Sequence, residues 1–363
     1  MAYRHEKDQI LSEQVKMAVN SGFDFFIQLH ITERCNLSCS HCYQTGTYTD
    51  EMSCPDIRNA GREISDAMNE WKEAYGMNFS PSFNVTGGEP FLRTDLDAIL
   101  SCISNHGFDI YLLTNGIFAD EKRSRSLPGL GVKGVQVSIE GPEPVHDSIR
   151  GSGSFQRAFR GIRNLLDAGL TVTLNVTLSS LNAGYLDDII ELSHAWNVHR
   201  LGFSRLVPSG RGQGLLKEML STETVKDLYS RIFALDTGTL EVVTGDPIAS
   251  QINGRSSVDL GTIPSGGCAA GVSGLTILPD GTMVPCRRLH IPIGNIRQDS
   301  FREVWATSEV LEALRSKNRY QGKCGSCARW AQCRGCRAIA YAFSQAQGES
   351  DFLSEDPQCF IEP

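Results

Sequence analysis

Three cysteines fall within eight residues, Cys35-x3-Cys39-x2-Cys42, shortly after an apolar run at Phe23–His30. Iron–sulfur clusters are held by cysteine thiolates, normally four per four-iron cluster. Three thiolates therefore leave one iron without a protein ligand, and an open metal position is where a substrate can bind. The competing chemistry is a structural zinc site with a distant fourth ligand, such as His41. The C-x3-C-x2-C spacing is not a common zinc spacing, and zinc would leave the motifs that follow unexplained.

A second set of seven cysteines closes the chain: Cys268, Cys286, Cys324, Cys327, Cys333, Cys336 and Cys359. Seven is one short of the eight that two fully ligated four-iron clusters require. A zinc ribbon would use four and leave three idle. Only Cys54 and Cys102 stand apart, and both are expected to be buried, inert thiols. Twelve cysteines in a chain with no secretory signal point to metal or catalysis rather than disulfides.

Between the two sets, polar motifs recur at the ends of apolar runs. Thr86-Gly87-Gly88-Glu89-Pro90 offers adjacent glycines for close backbone approach to a ligand, and Glu89 as an acceptor for an ammonium group. Asn115 ends the next run. Ser138 and Glu140 end the one after, as acceptors for a ribose, and Arg150 follows as a partner for a carboxylate. Asn175 lies on the fifth run.

These residues need elements to hold them. Strands are expected at Phe23–His30, Ser82–Thr86, Asp109–Thr114, Gly134–Ile139, Thr171–Val176 and Arg200–Leu206. Helices are expected at Ile57–Glu73, Leu96–Asn105, Asp120–Ser126, Phe155–Ala168 and Tyr185–Trp196. The alternation gives βαβ units and a parallel sheet of six strands, an open partial barrel with its ligands at the C-terminal strand ends. After Pro208-Ser209-Gly210-Arg211-Gly212 the rhythm breaks. A helix at Thr224–Leu235, an edge strand at Leu240–Thr244, a β-hairpin turning at Pro279-Asp280-Gly281 and two short helices follow. The cysteine-rich remainder lacks periodicity and relies on metal ligation more than on an apolar core.

The 363 residues carry a net charge of −8, a poor balance for binding nucleic acid. The polar N-terminus and the lack of a long apolar stretch speak against a signal peptide or a membrane span, so a cytoplasmic location is expected.

Residues from about Phe23 to Leu206 resemble a radical S-adenosylmethionine (SAM) domain, and Ser265 to Pro363 resemble its SPASM extension. The resemblance implies an α/β partial (β/α)6 barrel with a [4Fe–4S] cluster on Cys35, Cys39 and Cys42, and SAM on the fourth iron. It implies reductive cleavage of SAM to a 5′-deoxyadenosyl radical that abstracts a substrate hydrogen. The extension implies two auxiliary [4Fe–4S] clusters, one on Cys268, Cys286 and Cys336, the other on Cys324, Cys327, Cys333 and Cys359. Fully ligated members carry a further cysteine where this chain has Gly274. Sulfatase maturases carry an aspartate where it has Arg287. The expected organisation is an N-terminal extension (1–22), the barrel (23–215), a bridging segment (216–264) and the auxiliary-cluster domain (265–363).

Peptide or protein modification is the leading expectation for the substrate, with tetrapyrrole side-chain chemistry as the alternative. Arg205, Arg211, Arg287 and Arg288 are expected at the barrel mouth, where arginine forks suit carboxylates. A flavodoxin or ferredoxin is expected as electron donor; the 34 residues before Cys35 leave no room for the peptide-binding domain that many peptide-modifying members carry there, so a separate peptide-recognition protein would have to serve. From a different class, a non-catalytic cluster scaffold or electron carrier has the same ligands.

Overall fold

The computed structural model describes residues 23–44, 46, 50–76, 78–252 and 263–361. The expected N-terminal extension lies outside these. Ten strands form one sheet in the order β10-β9-β8-β1-β2-β3-β4-β5-β6-β7. The barrel strands are β1 (Phe23–His30), β2 (Phe79–Thr86), β3 (Asp109–Thr114), β4 (Val132–Ser138), β5 (Thr171–Leu178) and β6 (Arg200–Arg205), each parallel to the next. The short edge strand β7 (Glu241–Thr244) adds in parallel to β6. Among the described residues, no helix is long and apolar enough to cross a membrane.

The crossover helices follow local rules. Helix α1 (Cys54–Tyr75) opens on a Ser53–Asp56 capping box with proline in its first turn, and ends where Gly76 turns left-handed at φ 64°. Its buried positions Ile57, Ala60, Gly61, Ile64, Ala67 and Met68 form one stripe at helical spacing, which covers the sheet. Helices α2 (Leu96–Ser104), α3 (Glu121–Ser126), α4 (Glu143–Arg150), α5 (Ser154–Asp167) and α6 (Leu186–Ala195) complete the barrel, and α7 (Thr222–Ala234) precedes β7.

Two expectations needed correction. Helix α4 was not foreseen; it is short, and its eight residues bury only His146 and Ile149. Beyond α8 (Phe301–Thr307), α9 (Glu309–Arg315) and the one-turn α10 (Gly322–Ser326), the tail also forms α11 (Arg337–Ala346). Six of its ten residues are buried, several of them alanine.

The C-terminal hairpin, β8 (Gly274–Ile277) and β9 (Thr282–Val284), belongs to the barrel sheet. β8 pairs in parallel with the otherwise open edge of β1, from Phe26 opposite Gly274 to Leu29 opposite Ile277, and the short β10 (Gly294–Asn295) follows β9. A Cβ on Gly274 would lie 2.4 Å from the Phe26 carbonyl oxygen. The position where other members place a cysteine is therefore occupied here by strand pairing. Beneath β1, Phe25, Trp71, Phe301 and Trp305 pack edge to face or tilted, with Phe25 and Trp305 centroids 5.0 Å apart. They join α8 to α1.

Three buried charge networks lock the strand ends. Arg205, expected at the barrel mouth, is instead 1% exposed at the end of β6. Its guanidinium donates to both oxygens of Asp246 at 2.6 and 2.9 Å, and to both of Asp356 at 3.0 and 2.8 Å. The Tyr229 hydroxyl donates to Asp246 at 2.8 Å, and Asp356 also accepts from the Cys336 N–H at 2.8 Å. Glu89 accepts from the Thr114 hydroxyl at 2.8 Å and from the N–H groups of Asn115 and Phe91 at 2.9 and 3.2 Å, tying β2 to β3. Glu140 accepts from Arg150 and from the Thr177 N–H at 2.9 Å, with His41 Nε2 3.3 Å away.

Breaking the Arg205 network leaves an uncompensated buried charge. Asp356→Asn is expected to lower the unfolding free energy by about 3 kcal/mol, read from the urea midpoint. Arg200→Gln, which breaks an exposed pair with Glu241, is expected to cost less than about 1 kcal/mol. Burial pushes the Glu89 carboxyl from its ordinary 4.5 up to about 7, against the pull of its three donors. The folded state thus favours the protonated form. That contribution is fully present below the unfolded value and is lost as pH rises through about 7. Thermal melts from about pH 5 to 8 should show Glu89→Gln gaining up to about 3 kcal/mol on the wild type.

Candidate radical and cluster sites

A solvent-open cavity lies at the C-terminal strand ends, where βα units place their ligands. Cys35, Cys39 and Cys42 line it together with Gly87, Gly88, Asn115, Ser138, Arg150 and Asn175. Glu89 and Glu140 do not line it. In this structure their oxygens accept from the protein's own donors, Glu89 from Thr114, Asn115 and Phe91 and Glu140 from Arg150 and Thr177. Arg150 likewise holds Glu140 rather than a free carboxylate, and its Nη1 lies 3.9 Å from Cys39 Sγ. Burial opposes the Glu140 charge, but Arg150 and His41 hold it far below the usual carboxylate range.

The two adjacent glycines, besides lining the cavity, pack against the protein's own backbone. A Cβ on Gly87 would lie 2.4 Å from the Thr32 carbonyl oxygen, and one on Gly88 2.3 Å from that of Arg34. The N–H groups of Gly88 and Glu89 donate to these same carbonyls at 2.8 and 2.9 Å. The glycines thus let the β2 end lie directly against the segment that leads into Cys35. Asn115 adds a 2.9 Å hydrogen bond to Asn36. On the other side, the Pro208–Gly212 break closes over the cysteine loop. A Cβ on Gly210 would lie 2.3 Å from the Tyr43 carbonyl oxygen, and the Gly212 N–H donates to the Cys42 carbonyl at 3.0 Å. This places Arg211 beside the Cys42 thiol.

The sequence reading missed Thr177 and Ser204 among the lining residues. The signal was present, since both are polar residues near the ends of β5 and β6. It also missed Tyr43 and Gln44, which follow the third cysteine. Arg287 and Arg288 line the same cavity from the loop after the hairpin. The Arg287 guanidinium sits 5.5 Å from the Tyr43 ring centroid, and Arg288 Nε is buried without a hydrogen-bond partner.

The donor sets suit iron–sulfur clusters. Burial pushes the Cys35 thiol up to about 11 and raises that of Cys39, so iron binding must displace protons held by the apolar setting. Cys324, Cys327, Cys333 and Cys359 line one small cavity with Trp330, which packs against Tyr320 at 5.4 Å between ring centroids. Cys286 packs against two small apolar clusters, one that contains Cys336 and one that contains Cys268, and the Arg288 charge lies near Cys336 and Cys286. Among the described residues, no three His, Cys, Asp or Glu side chains converge on a single metal ion. Cys54 and Cys102, at the starts of α1 and near the end of α2, are within 3.8 Å of each other through their sulfurs, a proximity that the sequence reading did not anticipate.

Residues 29–193 match the Radical SAM superfamily, and residues 268–337 match SPASM, an iron–sulfur cluster-binding domain. An AdoMet-dependent heme synthase of Methanosarcina barkeri is 30% identical over 355 residues, covering 93% of this chain and 96% of its own. The mycofactocin maturase MftC of Mycobacterium ulcerans is 30% identical over 321 residues, covering 86% and 82%. Among solved structures, Streptococcus suis SuiB bound to its precursor peptide SuiA superposes with a TM-score of 0.72 at 15% identity, covering 94% of this chain and 76% of that one, a likeness of fold. The shared cavity of three cysteines at the barrel's strand ends, the cysteine-rich tail and these matches place the chain among the radical SAM enzymes, with a C-terminal SPASM domain and with SAM and [4Fe–4S] clusters as its cofactors.

Proposed function

We propose that this enzyme abstracts a hydrogen atom from a carboxylate-bearing substrate, with a peptide as the leading class. The observation that carries the reading is the placement of Arg211, Arg287 and Arg288 on the walls of the cysteine-lined cavity. Arg288, partly buried with an Nε that has no hydrogen-bond partner among the described residues, can grip a carboxylate together with its neighbours on the cavity wall. The cavity opens to solvent, so a chain larger than the cavity can present a single group to it.

Within this reading Cys35, Cys39 and Cys42 hold three corners of the barrel cluster. When bound, the cluster and SAM supply the 5′-deoxyadenosyl radical. Gly87, Gly88, Asn115, Ser138 and Asn175 form the wall against which SAM lies, while Glu89 and Glu140 fix the loops that carry that wall. Arg150 compensates charge beside Cys39. Cys268, Cys286 and Cys336 hold one auxiliary cluster with an incomplete cysteine set, and Cys324, Cys327, Cys333 and Cys359 hold the other. A flavodoxin or ferredoxin delivers the electron, and a separate recognition protein can present the peptide.

Tetrapyrrole side-chain modification is the second reading. It is favoured by the end-to-end likeness to the Methanosarcina barkeri heme synthase, since propionate side chains present the same carboxylates to the same arginines.

Anaerobically reduced enzyme supplied with SAM should release 5′-deoxyadenosine, and Cys35→Ala, Cys39→Ala and Cys42→Ala should each abolish it; a cluster scaffold would release none at all. The yield should rise with the cognate substrate class, acidic peptide or porphyrin propionate, and stay flat with the other. Cys324→Ala or Cys333→Ala should retain some uncoupled SAM cleavage while losing the modified product, measured by mass spectrometry. Arg288→Met should raise KM for the carboxylate-bearing substrate about tenfold or more, as expected for a lost charged hydrogen bond. An unchanged KM would remove the carboxylate assignment.

A further inference from the structure

We propose that Arg337 is a positioning residue whose buried charge sets the reduction potential of the cluster held by Cys324, Cys327, Cys333 and Cys359. The inference rests on the reading that these four cysteines hold a cluster.

Arg337 opens helix α11 directly after Cys336 and is 1% exposed. A guanidinium this deeply buried normally pairs with a carboxylate. Arg205, equally buried, has two. Among the described residues, Arg337 has no carboxylate within ion-pair distance. Asp356 acts on it from further away, but its oxygens are engaged by Arg205. Instead Nη1 donates to the carbonyls of Phe352 and Ser354 at 3.1 and 2.6 Å, and Nη2 donates to Cys324 Sγ at 3.6 Å. Its Nε has no partner, and its Cζ lies 4.9 Å from the Tyr320 ring centroid. The nearest group that can carry a compensating negative charge is thus a cysteine of the four-cysteine cavity.

The chain keeps room for this contact. Gly335 sits at φ 61°, and a Cβ there would lie 2.7 Å from Arg337 Nη2. Arg334 is the second buried cation nearby, but its donors go to the carbonyls of Ala331, Gly266 and Cys268 and to no sulfur.

A cluster with four thiolates is anionic, and one-electron reduction adds a further negative charge. Net charge and hydrogen bonds to sulfur are levers on the potential of such clusters. A fixed cation at a cluster sulfur, in a weakly screened interior, stabilises the reduced form more than the oxidised one. It therefore raises the potential, which makes this cluster a better acceptor for an electron from the substrate side.

The test is an anaerobic dithionite titration followed by electron paramagnetic resonance. It uses the full chain with Cys35, Cys39 and Cys42 replaced by alanine, so that only auxiliary clusters report. Iron is counted first. A four-cysteine site that holds no iron would overturn the cluster reading itself, before any titration. At unchanged iron content, Arg337→Met should move one midpoint to lower potential by about tenfold in the reduction equilibrium, about 59 mV for one electron. Arg337→Lys, which keeps the charge, should shift it by less than half as much. An unmoved midpoint in Arg337→Met, or an equal fall in Arg337→Lys, would overturn the inference. Should the methionine variant fail to load iron, the lysine variant decides. A midpoint near that of the parent supports the charge role, and a tenfold fall overturns it.

Discussion

Arg205 shared between Asp246 and Asp356 is the contact on which the two halves of the molecule depend. It stands at the end of the last barrel strand. One aspartate comes from the segment after β7, the other from the tail between Cys336 and Cys359. Burying three charges costs several kcal/mol each in desolvation, which only close, fully hydrogen-bonded geometry offsets. The network therefore tolerates one arrangement. In that arrangement Asp356 also receives the Cys336 N–H, so the geometry that satisfies Arg205 also fixes a cysteine of the auxiliary region. The hairpin that completes the β1 edge supplies the second tie, and the Phe25–Trp305 aromatic cluster the third.

Around the barrel cysteines, the same economy of polar groups recurs. Carboxylates at the strand ends face inward to the protein's own donors, and the cavity wall there is built from uncharged polar residues, glycines and arginines. Glu89 and Glu140 are more useful as struts, because a buried carboxylate with several donors is stiff, and stiffness at a loop end is what holds a wall in place. The close packing of Gly87 and Gly88 on Thr32 and Arg34, and of Gly210 on Tyr43, presses the cysteine loop between two neighbouring loops with no side chain intervening.

Positive charge follows the sulfurs. Arg150 lies by Cys39, Arg211 by Cys42, Arg288 by Cys286 and Cys336, and Arg337 by Cys324. An otherwise acidic chain thus concentrates arginine where anionic clusters and a carboxylate-bearing substrate would sit. Arginine suits this task because its charge survives burial.

The sequence alone determined what is written in local spacing. The cysteine pattern, the alternation of strands and helices, the strand limits to within a few residues, and the polar residues at strand ends were all legible, because periods of 2 and 3.6 and short metal-ligand spacings are properties of neighbouring residues. Helix α11 went unread because it is short and follows directly on the cysteine pattern, which marked the tail as held by metal ligation. Tertiary structure decided what depends on residues far apart in sequence: that Arg205 is buried rather than at the mouth, that Glu89 is held by Thr114 and Asn115 and Glu140 by Arg150 and Thr177, that β8 completes the barrel edge, and that Cys54 meets Cys102. Hydrogen-bond partners and buried charges are set by which segments come to lie side by side, and no local pattern encodes that.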